Sequence, residues 1–282
     1  MQYVAGHAPA RRAGRWLVAA LVPTLALVAC SATPTSPSSQ APGPGSFIVG
    51  AASDQPPAVP SALVPTPPQA LGATKFLAFG DSITYGVLSS FDGAFLILDE
   101  PGSYPTLLRS MLTQYHAPQS FTVVNMGFPG ETAREGVDRL PGVLAFHRPQ
   151  VVMLLEGIND LNFGVPLNQV AGNVLSLVQT ARLFNCTVLV ATMPQTYYSV
   201  DPADGRIREN SADKIVPFNN EVRQLVSGLQ NVYIVDVYAA FGNNRSLMGG
   251  DGLHPTSAGY QLMAQVFHQA ISSVFPVRGS VQ

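Results

Sequence analysis

The sequence predicts an α/β fold in which a parallel sheet of about five strands is covered by helices on both faces. Two observations carry this prediction. From Lys75 onward, short runs that are apolar on both sides alternate with longer amphipathic stretches, and buried parallel strands have this two-sided apolar character. Regular strand–helix alternation is typical of parallel sheets. The part of the chain with this pattern, about 210 residues, is long enough to bury a substantial core.

The predicted elements follow one another in a regular order along the chain. Strands are expected at Lys75–Phe79, Phe121–Asn125, Val151–Leu155, Thr187–Thr192 and Val232–Asp236. Helices are expected from the cap Ser103 through Leu112, and then at Thr132–Leu140, Leu167–Phe184, Ser211–Leu229 and Ser257–Val274. Ligands of open parallel sheets bind beyond the carboxyl ends of the strands. The residues that follow each strand are therefore the first candidates for a functional site.

The N-terminal segment resembles an export signal. Residues 1–15 carry three arginines and no acidic residue, and an apolar run of 14 residues, Trp16–Ala29, follows them. This run is short for a membrane span but fits the apolar region of a secretory signal. It ends in Leu-Val-Ala before Cys30, which resembles a lipobox, where cleavage precedes a lipid-modified cysteine. An ordinary signal peptide that contains a cysteine is the alternative.

The next segment has the composition of a tether. Residues 31–70 contain ten prolines, together with serine, threonine, alanine and glycine, and they lack the apolar periodicity needed to build a core. We therefore expect a signal peptide over residues 1–29, the lipidated Cys30 with a disordered tether over residues 30–70, and one folded domain over residues 71–282. Lipid on Cys30 predicts an exported, membrane-anchored lipoprotein that faces the periplasm or the extracellular side.

Charge and cysteine content exclude several kinds of partner. The net charge of −2 becomes −5 without the three N-terminal arginines, because 12 basic and 17 acidic side chains remain. A mildly acidic domain has no electrostatic footprint for nucleic acid. The sequence shows no cluster of histidine and cysteine with metal-ligand spacing. We expect no nucleic-acid partner, no metal and no cofactor.

Four segments at predicted strand ends or helix entrances contain polar residues of the types that take part in catalysis. They are Gly80-Asp81-Ser82, the run from Asn125 to Thr132, Gly157-Ile158-Asn159-Asp160, and Asp251-Gly252-Leu253-His254-Pro255. Each alone is an ordinary turn former. Together they contain every part that acyl transfer requires.

These residues fit the roles of a serine nucleophile, its base, the acid behind the base and the oxyanion donors. A serine hydroxyl needs an adjacent base, and His254 is the candidate base for Ser82. Asp251 lies three residues before His254, so one turn of chain brings its carboxylate to the far imidazole nitrogen. The backbone N–H groups of Ser82 and Gly127 and the side-chain amide of Asn159 are the candidate donors for an oxyanion.

The ordered set of four segments resembles the sequence blocks of the SGNH (GDSL-like) hydrolase family over about residues 75–275. The resemblance implies a flavodoxin-like three-layer α/β/α sandwich. It also implies a serine esterase that hydrolyses acyl or acetyl esters through an acyl-enzyme, with catalytic Ser82, Asp251 and His254 and an oxyanion hole of Ser82, Gly127 and Asn159. Asp81 and Asp160 then support the loops. The Gly-x-Ser-x-Gly elbow of α/β-hydrolases does not occur in the sequence, which argues against that other esterase fold.

Several questions stay open at the level of sequence. The sequence does not distinguish between a glycerolipid, a thioester and a sugar as the source of the leaving group. An acyltransferase that acts on envelope glycans, and a non-catalytic envelope-binding lipoprotein with the same fold, are the alternative functions. The apolar segment 87–102 either packs against the domain, which is the preferred interpretation, or lines an acyl pocket or forms a lid. Glu156 has no assigned role.

Overall fold

The computed structural model describes residues 70–200, 205, 207–208 and 211–276. The predicted signal peptide, Cys30 and almost all of the predicted tether lie outside the described residues. The strands are β1 (Lys75–Gly80), β2 (Val87–Ser89), β3 (Leu96–Leu98), β4 (Thr122–Gly127), β5 (Val151–Leu155), β6 (Thr187–Ala191), β7 (Ser199–Val200), β8 (Ile207–Arg208) and β9 (Val232–Val235). The α-helices are α1 (Ser82–Tyr85), α2 (Tyr104–Tyr115), α3 (Ala133–His147), α4 (Ile158–Asn162), α5 (Leu167–Leu183), α6 (Ile215–Val226), α7 (Val237–Phe241) and α8 (Ser257–Val274).

The central sheet has five parallel strands in the order β4-β1-β5-β6-β9. Numbered along the chain, this order is 2-1-3-4-5, which is the flavodoxin-like arrangement. The sheet reverses its winding direction next to β1, because the chain moves from β1 to one neighbour and then returns to the other. The predicted fold class is confirmed.

Helices form a layer on each side of this sheet. α2 packs against α8, while α3, α5 and α6 pack side by side in that order. The sheet strands are buried between the layers: all five side chains of β5 are at most 1% exposed. The core therefore consists of two-sided apolar strands and the inner faces of the helices, as the alternating pattern predicted.

Helix α3 differs most from its predicted bounds. The sequence predicted its end at Leu140, and the next residue, Pro141, lacks the N–H that a helix interior uses. The helix continues through Pro141 to His147. Leu140 and Leu144 are both fully buried on its inner face, so burial of the second leucine outweighs the missing hydrogen bond.

Candidate active site

Three adjacent strands bring predicted site residues to one edge of the sheet. Gly80, at the end of β1, pairs with Gly127 at the end of β4 and with Leu155 at the end of β5. Ser82 begins α1 two residues after β1, and Asn159 lies in α4 just after β5. Because the three strands are parallel and level, the segments that follow them share one edge.

The turn that carries Ser82 is tight and capped. The Asp81 carboxylate accepts a hydrogen bond from the N–H of Ile83 at 2.8 Å and caps α1. A Cβ atom at Gly80 would lie 2.2 Å from Oγ1 of Thr84, so only glycine fits this close approach of backbone and side chain. The turn fixes the start of α1, where the Ser82 N–H has no partner within the helix.

A chain of hydrogen bonds joins Ser82, His254 and Asp251. Ser82 Oγ lies 2.9 Å from His254 Nε2, and His254 Nδ1 lies 2.6 Å from Asp251 Oδ2. The other carboxylate oxygen of Asp251 accepts from the N–H groups of Leu253 and His254, each at 3.0 Å. All three side chains are buried, with Ser82 7% exposed.

The surroundings of Asp251 favour its ionised form beside the imidazole of His254. Burial alone would raise the pKa of Asp251. The hydrogen bond and the charge of His254, together with the two backbone N–H donors, outweigh burial and hold the pKa below its usual value. An ionised Asp251 accepts the proton on Nδ1 of His254, and Nε2 is then left to accept the Ser82 hydroxyl proton.

The three predicted oxyanion donors lie at the same edge, and two of them already have partners. The Gly127 N–H donates to Asn125 Oδ1 at 3.0 Å. Asn159 Nδ2 donates to the backbone oxygen of Glu131 at 2.7 Å. An amide nitrogen carries two hydrogens, so Asn159 keeps one for another acceptor.

Asp160 and Gly157 shape the loop around Asn159. Asp160 Oδ2 accepts from the N–H of Ala133 at 2.7 Å and so joins the loop after β5 to the first turn of α3. Gly157 has φ of 115°, which is a conformation that favours glycine. The Asp160 carboxylate therefore supports the structure of this loop.

A group of buried acidic side chains lies beside this edge, and the sequence assigned no role to two of them. Glu131 and Glu156 are 4% and 3% exposed. Glu131 is paired with Arg139. Burial, followed by the charges of Asp81 and Glu131, raises the pKa of Glu156 well above its usual value. A buried acid in a loop has no periodic spacing in the sequence from which its partner could be predicted.

Asp81 is expected to make stability fall as pH rises. Burial raises its pKa from 3.8 to about 7, against the opposing hydrogen bond from Ile83. Between those pH values the folded chain holds a proton that the unfolded chain has released, so the free energy of unfolding decreases with pH. Asparagine keeps the cap but cannot ionise. We expect Asp81→Asn to raise the free energy of unfolding at pH 8 by about 1–3 kcal/mol, and by much less at pH 5.

Urea denaturation at pH 5, 6.5 and 8 measures this difference. Asp92→Asn is the matched control, because Asp92 is exposed and hydrogen bonds from Ser90 and Ala94 lower its pKa. The control is expected to give no stabilisation at pH 8. Equal stability of the Asp81 variant and the parent chain at every pH would contradict the prediction.

The apolar segment 87–102 folds as a hairpin next to the Asp251 loop. β2 and β3 pair antiparallel, and Ser89 Oγ accepts from the Asp251 N–H at 3.3 Å. Five large apolar side chains of the segment are exposed, and Phe91 is wholly exposed at 101%; the others are Phe95, Leu96, Ile97 and Leu98. The preferred interpretation, packing against the domain, is wrong for these five side chains.

The described residues contain neither a metal-binding cluster nor a membrane-spanning helix. Within them, no group of three or more histidine, cysteine, aspartate or glutamate side chains has the arrangement of a metal site. No helix of the described part is both long and apolar enough to cross a membrane.

Comparisons with known proteins place the chain in a family. The model of the GDSL-like Lipase/Acylhydrolase family matches residues 78–262. The chain is 27% identical to Esterase TesA of Pseudomonas aeruginosa over 67% of this chain and 84% of that protein. It is 25% identical to Thioesterase 1/protease 1/lysophospholipase L1 of Escherichia coli over 66% of this chain and 78% of that protein.

A solved structure with the same fold is the aryl esterase of M. smegmatis. It superposes with a TM-score of 0.62 at 24% identity and covers 72% of this chain and 100% of its own. At this identity the likeness concerns the fold. The family model, by contrast, spans well over half of the chain and includes the segments that carry Ser82, Gly127, Asn159 and His254. The chain therefore belongs to the GDSL-like lipase/acylhydrolase family and is an ester hydrolase of the SGNH type.

Proposed function

We propose that this chain is a serine esterase that hydrolyses carboxylic esters through an acyl-enzyme formed on Ser82. The observation that carries the proposal is the continuous chain of hydrogen bonds from Ser82 Oγ through His254 to Asp251. A serine hydroxyl is a weak nucleophile until a neighbouring base accepts its proton. His254 Nε2 is within reach of that proton, and Asp251 fixes the tautomer that leaves Nε2 free to accept it.

The proposed reaction has two halves with balanced proton transfers. Ser82 Oγ attacks the carbonyl carbon while its proton moves to His254 Nε2. His254 then returns this proton to the departing alcohol oxygen as the ester bond breaks. In the second half, a water molecule gives a proton to His254 and attacks the acyl-enzyme, and His254 reprotonates Ser82 Oγ as the carboxylic acid leaves.

The proposed oxyanion donors are the Ser82 N–H, the Gly127 N–H and the Asn159 amide. The Asn159 amide has a second hydrogen available beside its bond to Glu131. The Gly127 N–H donates to Asn125 Oδ1, so the oxyanion has to share or replace that acceptor. Donors fixed before the reaction stabilise developing charge without paying for reorganisation.

The expected signature of this mechanism is covalent labelling by a fluorophosphonate. The reagent forms a phosphonyl ester on an activated serine, and we expect one adduct per chain, located on Ser82. Peptide mass spectrometry of the purified full-length chain makes this measurement, with heat-unfolded chain as the control for nonspecific reaction. Absence of an adduct from folded chain would favour a binding protein that uses the same fold.

One relative is named an esterase, and another is named a thioesterase, protease and lysophospholipase. We propose a carboxylic ester as the substrate.

We also propose that Cys30 carries a lipid anchor, because the sequence before it resembles a lipobox. Mass spectrometry of the chain from a bacterial membrane fraction is expected to find a diacylglyceryl group on Cys30 and no residues before it. A mature N-terminus elsewhere would overturn the anchor.

A further inference from the structure

An ion pair with a buried carboxylate lies on the oxyanion side of the site. Arg139, on α3, donates from Nε to Glu131 Oε1 at 2.5 Å and from Nη2 to Glu131 Oε2. The Glu131 side chain is 3% exposed and that of Arg139 24%. A bidentate contact of this kind fixes the plane of the carboxylate as well as its position.

Two further contacts connect the pair to the site. Arg139 Nη2 also donates to the backbone oxygen of Met126 at 3.0 Å, in the peptide group that carries the Gly127 N–H. The backbone oxygen of Glu131 accepts from Asn159 Nδ2 at 2.7 Å. One guanidinium therefore holds both ends of segment 126–131, and the far end of that segment holds the amide of Asn159.

The guanidinium is itself held in place. It lies 4.0 Å from the centre of the Phe79 ring on β1, and Phe79 is fully buried. A second ion pair on the same helix, Arg134 with Asp138, is different because its side chains are 61% and 68% exposed. An exposed pair of that kind contributes little energy and little positional restraint.

We infer that Arg139 and Glu131 are positioning residues that act through Asn159, by holding the Glu131 carbonyl so that the second hydrogen of the Asn159 amide stays aimed at the oxyanion. The inference rests on the proposed esterase mechanism. It assigns a task to two side chains whose burial as an ion pair is costly unless their geometry is well satisfied. A misplacement of a catalytic group by about 1 Å can cost about a hundredfold in rate.

Lysine at position 139 is the informative substitution. It keeps a positive charge opposite Glu131. A single ammonium group, however, cannot reproduce the two coplanar hydrogen bonds to the carboxylate and also reach the backbone oxygen of Met126. We expect Arg139→Lys to lower kcat by about 10- to 100-fold, with KM within about threefold of the parent value. Arg134→Lys is the matched control on the same helix, and we expect its kcat to stay within about twofold.

A double-mutant cycle with Asn159→Ala separates positioning from a general structural effect. Asn159→Ala alone is expected to lower kcat by about 10²–10³-fold. If Arg139 acts through Asn159, adding Arg139→Lys to Asn159→Ala lowers kcat by less than about threefold more. The kinetics are measured on the full-length chain with p-nitrophenyl acetate.

Two results would overturn the inference: an equal loss from Arg139→Lys in both backgrounds, or no loss in the parent chain. If the lysine variant lacks a cooperative thermal transition, Glu131→Gln replaces it in the same cycle, since glutamine keeps an acceptor oxygen for Arg139. The same two outcomes then decide. Hydrolysis by the parent chain that does not depend on Ser82 would instead overturn the proposed function.

Discussion

Replacing Ser82 with alanine is expected to lower kcat for p-nitrophenyl acetate by about 10⁴- to 10⁶-fold. The substitution removes the atom that forms the acyl-enzyme, so His254 has no hydroxyl proton to accept. The oxyanion donors remain, and they leave a small residual rate above that of water. KM is expected to change little, because Ser82 Oγ contributes mainly to the transition state.

The control for this experiment is another hydroxyl on the same short helix. Thr84 is fully buried, and its Oγ1 lies 3.5 Å from the Tyr104 hydroxyl, outside the chain of contacts to His254. We expect Thr84→Val to keep kcat within about tenfold, since it removes a hydroxyl at nearly constant volume. Residual activity of Ser82→Ala above about 1% of the parent value would remove Ser82 from the role of nucleophile.

The same assay, extended from acetate to palmitate, reports acyl preference. A preference for acetate would favour a deacetylase, and a preference for long chains would favour a lipid-type esterase. Ser89, in the hairpin of segment 87–102, accepts a hydrogen bond from the loop of Asp251, so substitutions in this hairpin are the first to test for an effect on acyl preference.

The order and type of the sheet elements could be predicted because their signals are local. Val151–Leu155 and Ser257–Val274 have the bounds that the sequence predicted, since polar or turn-forming residues bracket each of them. α6 is shorter than predicted, at Ile215–Val226. The short helices α1, α4 and α7 were not predicted, because four or five residues do not establish a helical period.

The site was partly predictable for a topological reason. Residues that follow parallel strands meet at one edge, so Ser82, Gly127 and Asn159 were expected together and the structure places them together. The pairing of Glu131 with Arg139 was not predictable. The two residues lie eight positions apart, one in a loop and one in a helix, and only the tertiary structure brings their charges into contact.

Replacing Asp251 with asparagine is expected to lower kcat by about 10⁴-fold while leaving the fold intact. The asparagine oxygen can still accept from the N–H groups of Leu253 and His254, as Asp251 Oδ1 does. The amide nitrogen, however, then faces His254 Nδ1 and donates to it. The imidazole must carry its proton on Nε2 in that case, and Nε2 can no longer accept the proton of Ser82.

This reasoning predicts a loss of kcat without a matching loss of stability, so both quantities have to be measured. Asp236→Asn is the matched control: Asp236 also accepts from a backbone N–H, that of Ala239, and caps α7. Its kcat is expected to stay within about threefold of the parent value. The rate of fluorophosphonate labelling at Ser82 should fall with kcat in Asp251→Asn, because both reactions need a base at Nε2. A variant that melts like the parent chain and keeps more than about a tenth of its kcat would show that the carboxylate does not set the tautomer of His254.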